Sequence, residues 1–167
     1  MQKKLLAWIV GLGLLWSFPS CGIYSLDGAS IPEGMETVQI DLFENNAPIV
    51  VPYLSTEFTE ALKNRIRSQT PLSSVRADGD AIFQGNITGY SITPTAVEGN
   101  NRAGLSRLTI TVQVKFTNNI DPEGGFEKSF SRYQDFAGSA PSQEAQIISE
   151  INKMLTEDIF NAAFANW

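Results

Sequence analysis

From Arg107 to Thr117 the chain alternates without a break. Leu108, Ile110, Val112, Val114 and Phe116 fall on one side, and Arg107, Thr109, Thr111, Gln113, Lys115 and Thr117 on the other. A period of two belongs to a β-strand, whose successive side chains point to opposite faces. So clean a split demands a sheet with one buried and one polar face. The rest of the chain must therefore supply an apolar cover for one side only.

Two segments have the period to be that cover. Between about Pro52 and Thr70, Leu54, Phe58, Ala61, Leu62 and Ile66 form one stripe, with Thr56, Glu57, Thr59, Glu60, Lys63, Asn64 and Arg67 on the wet side. Pro52 suits a helix start, and Pro71 disfavours helical geometry at Thr70 and ends it. From about Gln143 to Ala165 a second stripe runs through Ile148, Ile151, Leu155, Ile159 and Ala162, flanked by Ile147, Met154 and Ala163. Ser139 or Ser142 offers a cap, and Glu144 sits near the positive end of the dipole.

The other strands read less sharply. Met35–Leu42 alternates until Asn45-Asn46-Ala47-Pro48 breaks it, and Leu72–Ala77 is a weak strand or an extended lead-in before the turn signal Asp78-Gly79-Asp80. In Ala81–Ile92 the alternation puts Phe83 and Ile87 on one side and Ile82, Tyr90 and Ile92 on the other. A long loop is expected over 93–104, and Asn118–Gly125 turns the chain into a strand over Phe126–Phe136. This order predicts an α+β fold: two helices packed on one face of a mostly antiparallel four-stranded sheet.

The front of the chain is of another kind. Lys3 and Lys4 precede an apolar run, Leu5–Leu15, and Phe18-Pro19-Ser20 leads into Cys21, the one cysteine present. This is an export-signal layout, too short for a spanning helix, and Phe18–Cys21 resembles a lipobox. An ordinary signal peptide ending near a free thiol is the alternative, but an unpaired exported cysteine is anomalous. The expected organisation is a signal peptide over 1–20, a lipidated tether over 21–34 rich in Gly, Ser and Pro, and one α+β domain over 35–167. Cleavage removes two lysines and no acids, moving the formal charge from −6 to −8. So acidic a protein is a poor ligand for nucleic acid. Acyl chains on Cys21 would tether it stably to a membrane.

Catalytic readings find little support. The chain has no histidine, the commonest general base and metal ligand. Gly99–Gly104 has phosphate-loop spacing, but Leu105 stands where a lysine is needed. Asp78-Gly79-Asp80 lacks the further acids of a calcium loop and reads as a hairpin turn. No catalytic residue, metal site or cofactor is expected. Five cations, Arg102, Arg107, Lys115, Lys128 and Arg132, would share one side if their strands were neighbours. Such a cluster suits phosphate or carboxylate recognition, against the alternative of scattered surface charge.

Cys21-Gly22-Ile23-Tyr24-Ser25, Gly28-Ala29-Ser30-Ile31-Pro32 and Asn45-Asn46-Ala47-Pro48 are familiar in combination. With Phe58–Leu62, Gly85–Tyr90, Arg107–Val112 and Asp158–Asn161, the mature chain resembles the LptE-like lipopolysaccharide-assembly lipoproteins, particularly their Bacteroidetes branch. The resemblance implies a non-enzymatic, lipid-anchored protein of the outer membrane facing the periplasm. It also implies a plug for a large β-barrel translocon of the LptD type, assisting lipopolysaccharide insertion. Direct lipopolysaccharide contact through basic loop residues, associated with proteobacterial members, finds only Arg102 in the corresponding loop. Gly22 lacks an acidic inner-membrane retention signal, and no charged run follows Cys21; both favour the inner leaflet of the outer membrane. The competing reading is an accessory lipoprotein carrying phospholipid in an apolar groove, which requires a sizeable internal cavity. An envelope hydrolase would need a base that the chain hardly supplies.

Overall fold

The alternating segment lies within the 17-residue strand Arg102–Asn118. The computed structural model describes residues 30–98, 102–138 and 142–165; the expected signal peptide over 1–20, Cys21 and the expected tether up to residue 29 lie outside them. In chain order the elements are β1 (Thr37–Ile40), β2 (Glu44–Asn45), α1 (Leu54–Gln69), β3 (Ser73–Val75), β4 (Ala81–Glu98), β5 (Arg102–Asn118), β6 (Phe126–Phe136) and α2 (Glu144–Phe164). The sheet order is β3-β1-β4-β5-β6, with β2 also beside β4. It has six strands where four were expected.

One of the two extra strands is β3, within the weak segment Leu72–Ala77; the other, β2, has a physical origin at Phe43. Its backbone N–H donates to Thr59 Oγ1 at 3.1 Å, and its carbonyl accepts from Ser55 Oγ at 2.5 Å. Helix α1 thus takes the groups a continuous strand would offer β4; the expected Met35–Leu42 strand narrows to β1, and β2 forms separately beyond Phe43. Both pair in parallel with β4, as β3 does with β1. The long β4–β5–β6 pairings are antiparallel.

Asp78-Gly79-Asp80 is not a hairpin turn, because β3 and β4 flank β1 rather than each other. The segment crosses β1 so closely that a Cβ on Gly79 would lie 2.7 Å from the Gln39 nitrogen. Asp78 takes a positive φ of 56°, a conformation that Asp tolerates. Asp80 Oδ2 clamps the crossing, accepting from Glu36 N at 3.0 Å, Thr37 N at 2.9 Å and Thr37 Oγ1 at 2.8 Å.

In β4 the apparent conflict of sides resolves through a bulge. Ile87 pairs with Val112 and Gly89 with Thr111, so Thr88 is the extra residue. An inserted residue reverses the alternation beyond it. Phe83, Ile87, Tyr90 and Ile92 therefore all face the helices. Past Ile92 the expected loop over 93–104 is strand: β4 continues to Glu98 and β5 begins at Arg102. Pro94 is tolerated there because it adjoins a register shift.

Helices α1 and α2 lie parallel over the Leu108–Phe116 face. Tyr53 and Glu144 meet at their starts, and Arg65 Nη2 reaches Lys153 O at 3.0 Å further along. The stripe residues Leu54, Phe58, Leu62, Ile66, Ile148, Ile151, Leu155 and Ile159 are buried. Ala162 is exposed instead; Phe160 and Phe164 turn inward. Phe164 stands edge-on to Phe83 and Phe116, with ring centroids 6.0 and 5.7 Å apart. Full burial of such a side chain stabilises by about 1.5–3 kcal/mol. The N-cap position of α2 is Gln143, which makes no side-chain capping bond and whose amide donates to Ala137 O; Ser139 lies outside the described residues. At the far end of α2, Ser30 N donates to Phe164 O at 2.6 Å.

Candidate functional site

Side chains directly opposite one another in antiparallel strands share a face. Glu127, Ser129, Ser131, Tyr133 and Asp135 therefore join Lys115, Gln113, Thr111, Thr109 and Arg107 on the side away from the helices. Gln84, Asn86, Ser91 and Thr93 extend that face across β4. The result is a broad surface of hydroxyls and amides, cross-linked laterally: Thr111 Oγ1 and Ser131 Oγ lie 3.0 Å apart, and Gln84 Nε2 donates to Asp41 Oδ2 at 2.8 Å.

Its charges are few and close to balance. Arg107 donates from Nε to Asp135 Oδ1 at 2.7 Å and from Nη2 to Asp135 Oδ2 at 2.9 Å. The same guanidinium lies 3.7 Å over the ring of Tyr133, itself 51% exposed. These hydrogen bonds hold the Asp135 carboxyl below its usual value, against a smaller opposing effect of desolvation. Lys115 is exposed, in register with Gln84 on one side and Glu127 on the other.

The remaining predicted cations go elsewhere. Lys128 is opposite Val114 and Arg132 opposite Ile110, which places both on the helix side of β6. Lys128 Nζ lies 5.2 Å from the centre of the Phe126 ring, and Arg132 pairs with Asp158 of α2. Arg102 opens β5 opposite Glu98 at the hairpin end, and its side chain lies outside the described residues. The five do not share one side. Counting along the strand puts Lys128 and Arg132 in phase with each other; only the pairing register reveals that their phase is that of Val114 and Ile110.

One polar link went unread in the sequence. Glu144 at the start of α2 accepts from Tyr90 Oη at 2.6 Å and Tyr53 Oη at 3.2 Å. Burial first, then the Glu144 hydrogen bond and charge, push the Tyr90 hydroxyl well above its usual pKa. Nothing in the local pattern joins residues so far apart in the chain. Phe43, Phe58, Phe83, Phe116 and Phe164 are fully or almost fully buried in the layer between helices and sheet. Open grooves of about 390 and 360 Å³ lie at the β5–β6 turn and between α1 and α2, the latter lined by Asn64, Arg65, Ser149 and Lys153. Among the described residues, no helix is long and apolar enough to cross a membrane.

The profile of the family described as LptE, lipopolysaccharide-assembly, matches residues 35–163. The hypothetical protein CT253 of Chlamydia trachomatis superposes with a TM-score of 0.58 at 9% identity, over 78% of this chain and 99% of that one. A minor lipoprotein of Acinetobacter baumannii gives 0.51 at 9% identity, over 76% and 91%. Lipoprotein B of Nitrosomonas europaea gives 0.50 at 16%, over 78% and 82%. At these identities the likeness establishes the shared fold. No curated protein matched the sequence.

Proposed function

The chain belongs to the LptE lipopolysaccharide-assembly family, and from that premise we propose that it is a lipid-anchored protein of the outer membrane, facing the periplasm, that plugs a large LptD-type β-barrel and assists lipopolysaccharide insertion. The family is non-enzymatic, and its role lies in building the cell envelope. The observation that carries the finer reading is the open sheet face. It is broad, hydroxyl- and amide-rich and nearly charge-balanced, with Arg107 already matched to Asp135. The lumens of large membrane barrels are polar, and water-bridged contacts between such surfaces are not weak. Buried aromatic rings between helices and sheet suit a plug, whereas a phospholipid carrier requires an apolar internal cavity. Cys21 is the anchor in this reading. In this reading Arg107 and Lys115 face the barrel, Arg102 at the start of β5 is the cation assigned to lipopolysaccharide, and Lys128 and Arg132 serve the fold.

The test is a tagged pull-down from gently solubilised outer membranes of the native organism, read by mass spectrometry. Near-stoichiometric recovery of one large barrel protein is the expected result. Recovery of an inner-membrane transporter with bound phospholipid, or of no barrel, would overturn the plug reading in favour of the lipid carrier.

A further inference from the structure

Ile49 and Val50, between β2 and α1, are 54% and 63% exposed. Pro48, Pro52 and Tyr53 beside them are exposed as well. Large apolar side chains on a loop usually fold back or are replaced by polar ones, and a contiguous exposed group marks an interaction site. This one is held out deliberately. Ala47 and Val51, on either side of the tip, are buried in the core. Asn45 ties the two posts together: its Oδ1 accepts from Ala47 N at 3.1 Å, and its Nδ2 donates to Val51 O at 3.3 Å. Asn46 N reaches Ile87 O at 2.9 Å, and Leu54 N reaches Val51 O at 3.2 Å. Two prolines further restrict the backbone. The knuckle is therefore ordered before any partner arrives, which removes much of the entropy cost of docking.

Its surroundings indicate the kind of partner. Glu44 precedes it on β2, Glu57 follows in the first turn of α1, and Glu144 is hydrogen-bonded to Tyr53. An acidic edge repels phosphate groups and anionic lipid, and complements lysine or arginine. The knuckle also stands at the start of α1 and α2, whereas Ser30 joins the fold at the end of α2. Some 21 residues of helix separate the two, about 30 Å at 1.5 Å per residue. It is thus remote from the point where a lipid-anchored tether would enter.

We propose that Pro48–Val50 is a preformed protein-docking knuckle that inserts into an apolar pocket edged by basic side chains. This deepens the plug reading and rests on it in taking that pocket to belong to the barrel. The test places the photo-crosslinker p-benzoylphenylalanine at Ile49 and Val50 in the full-length lipoprotein in native envelopes, with exposed Glu60 of α1 as control. Adducts from both sites to one barrel peptide, apolar and flanked by Lys or Arg, are expected. Adducts to lipid or to a second copy of the chain would overturn the proposal. So would adducts no stronger than at Glu60 while the pull-down still recovers the barrel, which leaves the plug reading standing. Adducts to such a peptide in another protein, with no barrel recovered, would overturn the plug reading and uphold the knuckle. Ile49→Ser with Val50→Ser should cut barrel recovery at least tenfold with an unchanged Tm; undiminished recovery would overturn the proposal.

Discussion

Arg132 of β6 and Asp158 of α2 meet through two parallel hydrogen bonds, Nε to Oδ2 at 2.5 Å and Nη2 to Oδ1 at 2.6 Å. A cation that a strand pattern alone would assign to a ligand surface instead fastens the last helix to the edge of the sheet. Both side chains remain partly exposed, so screening limits the benefit. A double-mutant cycle with Arg132→Ala and Asp158→Ala should give a coupling energy of about 0.5–1 kcal/mol. It should shrink as salt is raised. Zero coupling at low ionic strength in chemical denaturation would show that the pair does not brace the edge.

Asp80 gives the fold an acid limit. Hydrogen bonds from Glu36 N, the Thr37 hydroxyl and Thr37 N, in that order, hold its carboxyl below the usual 3.8, with desolvation opposing. A depressed folded-state pKa contributes stability that is complete above the unfolded value and is lost as pH falls through the folded one. Urea midpoints measured downward from pH 5 should therefore fall more steeply for the native chain than for Asp80→Asn. Identical acid limbs would show that the clamp over β1 contributes nothing.

Gly85 is required by a close approach. A Cβ there would stand 2.0 Å from Gln113 O and 2.7 Å from Phe43 Cε1. The neighbours are backbone and a fully buried ring, neither free to yield. Gly85→Ala should destabilise by at least about 2–3 kcal/mol. Thermal unfolding followed by circular dichroism checks this, and an unchanged Tm would contradict the β4–β5 register.

Val112 lies at the centre of the helix-covered face with no exposed surface. Val112→Asp would bury a carboxylate without a partner, at a cost above about 3 kcal/mol. Thr111→Asp, one residue along on the open face, should change stability by less than about 1 kcal/mol. Equal losses at the two sites would remove the distinction between the faces.

Cys21→Ala tests the anchor. Without acylation the protein should leave the washed outer-membrane fraction, and incorporation of labelled palmitate should vanish. Persistence in the washed outer-membrane fraction would show that a protein partner, not lipid, retains it.

The two amphipathic helices, the one-sided sheet and the lack of any histidine chemistry are all legible along the chain. Each follows from side-chain period or composition, which are local. Leu108–Phe116 had to be covered, and Leu54–Ile66 and Ile148–Ile159 were the stripes available to cover it. Tertiary structure decided whatever depends on two strands meeting. A bulge at Thr88 put Tyr90 into the core, where Glu144 receives its hydroxyl. Side chains of α1 broke the first strand at Phe43, and pairing with β5 sent Arg132 to the helix side while leaving Arg107 on the open one. A shift of one residue in pairing reverses every side chain beyond it, and no local pattern records which register two distant segments will adopt.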